Sequence, residues 1–143
     1  MDNITQLYPN NRPEAFSNES ELYFDVWERP SYFKGREEYY EDPHHKHIVR
    51  SWRGEPTSIG LVGKNYKVLH TKDVCEGVED TFMEVMSDEE LINVRRTDDI
   101  SYMGATSIRN YIFPNITADI GSKYSDIAFR TIIINGYDGS SSF

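Results

Sequence analysis

Short apolar runs separated by turn-forming residues occupy the middle of this chain. Three such runs lie at residues 48–52, 58–62 and 66–69, and each is rich in residues that favour strands but too short for a helix. Glycine, proline and asparagine in the intervening residues 53–56 and 63–65 supply turn chemistry. Alternation along the first run puts Ile48, Arg50 and Trp52 on one face. The pattern predicts three consecutive antiparallel strands.

A helix is predicted directly after these runs, over residues 73–86. Apolar residues recur there at the spacing of one helix face, namely Val74, Val78, Phe82 and Val85. Asp73 is expected to cap this helix, and Glu79 is expected to lie off the apolar stripe. Ser87 and Glu90 repeat the capping pattern, which predicts a second short helix or a turn.

Extended segments are predicted again in the last third of the chain, at residues 101–105, 108–113 and 127–135. The run Ile132-Ile133-Ile134 is continuously apolar, as in a strand covered on both faces. The fold class is therefore predicted as α+β: a twisted antiparallel sheet, made of a β-β-β-α unit and a further meander, with one main helix packed on it.

The first 45 residues differ in character from the rest. Residues 1–20 are polar and predict an arm without its own core, and residues 22–27 form an apolar and aromatic segment that suits either a strand or a short docking segment. Residues 32–40 are aromatic but aperiodic and are interpreted as a loop. We therefore expect an N-terminal arm over residues 1–45 and an α+β domain over residues 46–143.

Composition fits one globular domain of 143 residues, but the charge is uneven. The net charge is −9, whereas residues 46–73 carry six basic and two acidic side chains. Overall acidity disfavours non-specific binding to nucleic acid, although a local basic strip can still bind it. No apolar run approaches the length of a membrane span, and the single cysteine fits a reducing compartment.

Cations and aromatic side chains interleave in this basic block, as on surfaces that bind single-stranded nucleic acid. The candidate binding residues are Arg50, Trp52, Arg53, Lys64, Tyr66, Lys67 and Lys72, with Arg109 and Lys123 as possible extensions. Each group also has a structural alternative to DNA binding. Trp52 and Tyr66 can instead pack in the core, and the cations can instead lie on a solvated strand face.

Catalytic and metal-binding signals are weak. His44, His45 and His47 follow Asp42, but no second ligand cluster accompanies them, so a solvated loop is the favoured interpretation. Cys75 lies in the first helical turn, where the dipole lowers a thiol pKa, yet no base is placed beside it. We predict no cofactor and no catalytic residue.

Two stretches resemble a known family. The first stretch runs from His47 through Arg53-Gly54-Glu55 to Gly63 and Tyr66-Lys67-Val68. The second is the tail from Ile132 to Asp138-Gly139-Ser140-Ser141. Both are similar to the phage/plasmid-like proteins of domain-of-unknown-function family 932. The resemblance covers about residues 46–143 and implies a chain shortened at its C-terminus. It implies a phage or mobile-element origin, a cytoplasmic site of action and a role in DNA metabolism.

The β-β-β-α unit also resembles the core of phage single-strand annealing proteins, a similarity at the level of the fold. The leading hypothesis is thus a homo-oligomer that binds single-stranded DNA, with annealing as its further activity. One alternative is an acidic phage protein that binds a host protein through the clusters at residues 76–84 and 88–90. The other alternative is a structural virion protein whose arm contacts neighbouring subunits.

Overall fold

Two three-stranded antiparallel sheets and one long helix make up the computed structural model, which describes residues 12–118 and 127–139. The α+β prediction is confirmed. The first sheet contains β1 (Trp27–Lys34), β2 (Tyr39–Trp52) and β3 (Glu55–Gly63). The second contains β4 (Arg95–Ser101), β5 (Thr106–Ala118) and β6 (Ile127–Gly136). The helices are α1 (Thr71–Val85) and α2 (Asp88–Leu91), and short 3-10 turns lie at Glu14–Phe16 and Tyr102–Gly104.

The first sheet differs from the predicted three-strand unit in one member. Residues 66–69 are not a strand; they connect β3 to α1, and Tyr66 and Val68 pack on the core. The third strand is β1, which pairs with β2 from Trp27↔Val49 to Lys34↔Tyr39. The boundary expected at residue 45 falls within β2, so residues 27–45 belong to the same sheet as residues 46–63.

The start of α1 is set by contacts with the end of β6 and the residue after it rather than by a capping side chain. The helix begins at Thr71, two residues before the predicted Asp73, and its N-cap His70 makes no side-chain cap. Instead the hydroxyl of Tyr137 accepts the backbone N–H of Thr71 at 2.7 Å, and the Asn135 amide donates to the Leu69 carbonyl at 3.0 Å. The first bond satisfies an N–H that the helix N-terminus leaves unpaired, and the second fixes the segment that leads into the helix. The capping box predicted at Ser87 and Glu90 is present and opens α2.

The buried stripe of α1 is rotated relative to the predicted one. Cys75, Glu79 and Phe82 are buried, whereas Val85 is 69% exposed. The prediction that Glu79 lies off the stripe is wrong, because charged partners on the second sheet compensate its burial. Phe82 is shared by both stripes and packs edge-on against Tyr111 and Phe113 of β5.

A charged network fills the space between α1 and the second sheet. The Glu79 carboxylate accepts hydrogen bonds from Arg109 at 3.0 Å, from the Tyr111 hydroxyl at 2.5 Å and from Arg12 at 3.0 Å. Asp98 accepts two bonds from Arg109, at 2.8 and 3.0 Å, in a bidentate pair. Arg109 thus bridges both carboxylates.

Burial and pairing act on these groups in opposite directions. Burial raises the pKa of Glu79, and the Tyr111 bond and nearby arginines offset only part of that rise. Burial alone would raise the pKa of Asp98 as well, but the bonds from Arg109 and Ser20 outweigh it and lower that pKa. Burial alone would lower the pKa of Arg109, yet its bonds with Asp98 and Tyr111 raise it.

The segment before β1 is part of this core. Phe16 is buried and contacts the rings of Phe82 and Tyr111. The Ser20 hydroxyl binds Asp98 and Arg109, and the Tyr23 hydroxyl accepts from Arg109 at 2.5 Å. The expectation of an arm without a core is therefore wrong for residues 12–20. Residues 1–11 lie outside the described part of the chain.

The two sheets meet near the ends of β3 and β6. Ile48, Ile59, Val62, Ala105 and Tyr137 form a second apolar cluster there. A Cβ on Gly60 would lie 2.2 Å from the Tyr137 carbonyl oxygen, so only glycine permits this approach.

The turn that leads from β4 into β5 lies beside this junction. The strand predicted at residues 101–105 is instead a tight turn in which Tyr102, Met103 and Gly104 have positive φ.

The outer face of β6 is open. Ile132 is 52% exposed and Ile134 is 49% exposed, whereas Ile133 packs against the core beneath α1. The expectation that this strand is covered on both faces is therefore wrong. Within the described residues, no helix is long and apolar enough to cross a membrane.

Candidate nucleic-acid interface

Arg50 and Trp52 lie on the inner side of the first sheet. The Arg50 guanidinium lies 3.5 Å from the centre of the Phe24 ring and 5.1 Å from that of Trp52, and it donates to the Met103 carbonyl at 3.1 Å. Burial lowers the pKa of Arg50. These contacts tie the first sheet to the turn before β5. The prediction that the two side chains share a face is confirmed by their contact, and Arg50 links the first sheet to the second.

Arg53 and Lys64 lie at opposite ends of β3. Arg53 is exposed in the β2–β3 turn, with its guanidinium 5.5 Å from the Trp52 ring. Lys64 is exposed just beyond Gly63, at the other end of the strand. A strand of nine residues spans about 30 Å, so these two cations do not share one local site.

The remaining predicted residues lie elsewhere. Tyr66 packs on the core and its hydroxyl donates to the Gly136 carbonyl at 3.3 Å. Lys67 is exposed in the connection to α1, and Lys72 lies 3.8 Å from Glu76 on that helix. Arg109 is fully buried in the charged network, so it does not lie at any surface. Lys123 falls outside the described residues.

A groove on the outer face of the first sheet brings together residues that the sequence did not single out. The outer face is the side away from Ile48 and the second sheet. The groove has a volume of about 300 Å³ and is lined by Trp27, Arg29, His47, Val49, Pro56 and Ser58. Pairing places these side chains together, because Trp27 lies opposite Val49 and Arg29 lies opposite His47.

Arg29 is the cation of this groove. Its side chain is exposed, and within the described residues its guanidinium pairs with no carboxylate. Its hydrogen bond to the Glu28 carbonyl is long, at 3.5 Å. His47 is held beside it by a 2.7 Å bond between its Nδ1 and the Ser58 hydroxyl. The positive charge of Arg29 is therefore available to a ligand.

The β1–β2 hairpin extends this face with aromatic side chains. All residues from 32 to 41 are exposed. Its four aromatic side chains are 51% to 69% exposed, namely Tyr32, Phe33, Tyr39 and Tyr40. Phe33 and Tyr40 are paired across the strands and stack with ring centres 6.0 Å apart. The pairing of β1 with β2 shifts between Pro30 and Ser31, so this aromatic pair lies beyond an irregularity at the far end of the strand that carries Trp27 and Arg29.

The groove and the hairpin together have the composition of a stacking platform. An exposed cation lies between the indole of Trp27 and the stacked pair Phe33–Tyr40, about 20 Å apart along β1. Aromatic faces stack on bases, and unpaired cations contact phosphates. Little in the sequence points to this surface, because the hairpin has aromatic residues on both sides and shows no alternation. The isolated Trp27 and Arg29 before Pro30 were the only available signal.

The histidine cluster is divided between different partners. The His45 ring binds the Asp42 carboxylate at 2.8 Å, and His47 belongs to the groove. The backbone N–H of His44 and the ring of His45 lower the pKa of Asp42. Across the described ranges, no group of three or more His, Cys, Asp or Glu side chains is arranged to hold a metal ion. The predicted loop at residues 42–47 is part of β2.

Cys75 is a buried helix residue. Burial raises the pKa of its thiol to about 11, so the expected lowering by the helix dipole is outweighed. The acidic helix surface is also smaller than the sequence suggested, since Glu79 is buried and Asp80 pairs with Arg12 at 2.7 Å.

Comparisons with known proteins give no family assignment. No protein-family model, no curated protein and no solved structure matches this chain. The resemblance to family 932 therefore stays a prediction.

Proposed function

We propose that this chain binds single-stranded DNA along the outer face of the first sheet. The observation that carries the proposal is the position of Arg29. Its guanidinium is exposed, pairs with no carboxylate of the described residues, and lies in the groove with Trp27, on the strand that continues to Phe33. A cation between two aromatic platforms is the arrangement that single-stranded nucleic acid requires.

Each part of the face has a distinct role in this proposal. One base stacks on Trp27 in the groove, and another stacks on the Phe33–Tyr40 pair of the hairpin. Stacking of one base on an aromatic side chain contributes about 1–3 kcal/mol. Arg29 contacts a phosphate between them, and Arg53 and Lys64 add positive charge near the two ends of β3. Because every base has a π face, little sequence preference is expected.

The resemblance to family 932 favours a role for this binding in the DNA metabolism of a phage or another mobile element. The chain would then act in the cytoplasm of the host cell. Binding by a homo-oligomer would let two strands meet, which is the requirement for annealing. This role is tested separately, by mixing complementary labelled strands with the protein and measuring whether duplex forms faster than without it.

Fluorescence anisotropy with a labelled oligo-dT tests the binding itself. The wild-type chain should bind more weakly as salt rises, because each neutralised phosphate releases counterions. Arg29→Ala should weaken binding severalfold and reduce the slope of log affinity against log salt by about 0.7, the value for one contact with a single strand.

Lys72→Ala is the matched control, since it removes one exposed cation from α1, outside the proposed face. Its affinity and salt slope should equal those of the wild type. Equal losses of affinity in the two variants would show that only the overall charge matters. Absence of DNA binding by the wild type at low salt would contradict the proposal.

A further inference from the structure

The outer face of the second sheet presents nine side chains in three rows. Alternation turns every second residue of β4, β5 and β6 away from α1, and the register aligns these residues across the strands. One end row is Arg95, Ile112 and Arg130; the central row is Thr97, Asn110 and Ile132; the other end row is Asp99, Ile108 and Ile134. The face thus has a basic end, a mixed polar and apolar central row, and an acidic corner, with four isoleucines spread over the three rows.

This face is unpartnered in the described chain. Ile132 and Ile134 are each about half exposed, although isoleucine normally lies inside a protein. Arg95, Arg130 and Asp99 are exposed and make no ion pair with the described residues. Among the described residues, the carboxylate of Asp99 accepts a hydrogen bond only from the neighbouring N–H of Ile100, at 2.9 Å. Exposed isoleucines rimmed by free charges mark an interaction surface.

The charge pattern selects a second copy of the chain as the occupant. A two-fold axis across the strands stacks the two faces with their strands antiparallel. Arg95 of one copy then meets Asp99 of the other, and Ile132 and Asn110 each meet their own counterparts. The alternative axis, along the strands, would set Arg95 against Arg130 and bring like charges together. Isologous contacts of this self-complementary kind are the commonest in oligomers.

We propose that this chain dimerises through the outer face of the second sheet, with Arg95 of each copy against Asp99 of the other. Facing Asn110 amides can satisfy each other, so the central polar group is not left unpaired. This interface is independent of the DNA-binding face, which lies on the first sheet.

The size of the face sets the expected strength of the dimer. A sheet of three strands, each about seven residues long, has a face with an area of roughly 340 Å² in each copy. A stable complex buries about 800 Å² per partner, so the dimer should be weak and should form as protein concentration rises.

Sedimentation equilibrium over a concentration series tests the interface. The wild-type chain should show a monomer–dimer equilibrium, and Ile132→Glu should abolish the dimer because two carboxylates would face each other. Asp99→Arg should weaken the dimer by tenfold or more. The double variant Asp99→Arg with Arg95→Asp should restore it, since the charges are exchanged but remain complementary.

Leu61→Glu is the matched control, because it places the same charge on an exposed apolar residue of the first sheet. It should dimerise like the wild type, and circular dichroism should show that every variant is folded. A wild-type chain that stays monomeric at all concentrations overturns the proposal. A dimer that survives both Ile132→Glu and Asp99→Arg also overturns it.

Discussion

Arg109 shows how one side chain can hold several elements together. It lies on β5 and bonds to Glu79 of α1, to Asp98 of β4 and to Ser20 and Tyr23 of the N-terminal segment. Both carboxylates are desolvated, so the guanidinium compensates two charges at once. Arg109 was predicted to extend the basic block as a DNA contact, but it is the centre of the internal charge network.

Arg109→Met should therefore be strongly destabilising. It leaves Glu79 and Asp98 buried without their main partner, and removing one member of a buried ion pair costs about 3–5 kcal/mol. Urea denaturation measures this loss. Arg36→Met is the control, since the same change at an exposed site of the β1–β2 turn, outside the proposed dimer interface, should alter the free energy of unfolding by no more than about 0.5 kcal/mol. Similar losses for the two variants would contradict a structural role for the network.

Cys75 gives a prediction about reactivity and pH. Burial raises its thiol pKa to about 11, above the ordinary value of about 8.5, so folding favours the neutral thiol. Keeping this thiol neutral therefore contributes to the stability of the fold. The contribution is fully present below about pH 8.5 and is lost as the pH rises through about 11. Iodoacetamide at pH 8 should label the native chain far more slowly than the urea-unfolded chain. Equal rates would show that the thiol is accessible and ionised.

At the scale of elements, the N-terminal segment and the hairpin show opposite uses of aromatic residues. Phe16 inserts into the core between Phe82 and Tyr111, so residues 12–23 are fixed to the second sheet. Phe33 and Tyr40 instead stack on each other in the solvent-exposed hairpin. The first use stabilises the fold, and the second leaves apolar surface free for a ligand.

Phe16→Ala and Phe33→Ala separate these two uses. Phe16→Ala should lower the free energy of unfolding by about 3–5 kcal/mol, the usual cost of a buried phenylalanine. Phe33→Ala removes the same atoms from an exposed site and should cost little stability while weakening DNA binding. Thermal or urea unfolding of both variants makes the comparison, and a small effect of Phe16→Ala would contradict the packed role of the segment.

Local patterns predicted some of these elements and missed others for physical reasons. The recurrence of Val78 and Phe82 was enough to find α1, and the Ser87–Glu90 box was enough to find α2. The burial of Glu79 could not be predicted, because it depends on Arg109, thirty residues later in the chain. The β1–β2 hairpin was missed because both of its faces are exposed, so polar and apolar residues do not alternate there.

For the whole molecule, the two sheets divide the surface into two candidate interfaces. The first sheet carries the groove and the aromatic hairpin, and the second carries the isoleucine face. Neither could be located from the sequence, because each depends on strand pairing between distant residues: Trp27 with Val49, and Ile108 with Ile134. The basic block that the sequence emphasised is divided instead between the inner junction and the ends of β3.

The chain has two tryptophans, and they distinguish the two possible DNA surfaces. Trp27 lines the outer groove, whereas Trp52 lies near the guanidinium groups of Arg50 and Arg53. A base that stacks on an indole quenches its fluorescence. Trp52→Phe leaves Trp27 as the only reporter, and Trp27→Phe leaves Trp52.

Titration of both variants with unlabelled oligo-dT is the most direct test of the proposed DNA-binding face. The proposal predicts saturable quenching in Trp52→Phe and little change in Trp27→Phe. Quenching only in Trp27→Phe would place the DNA at the basic block instead, and quenching in neither variant would contradict binding of DNA by stacking at the groove.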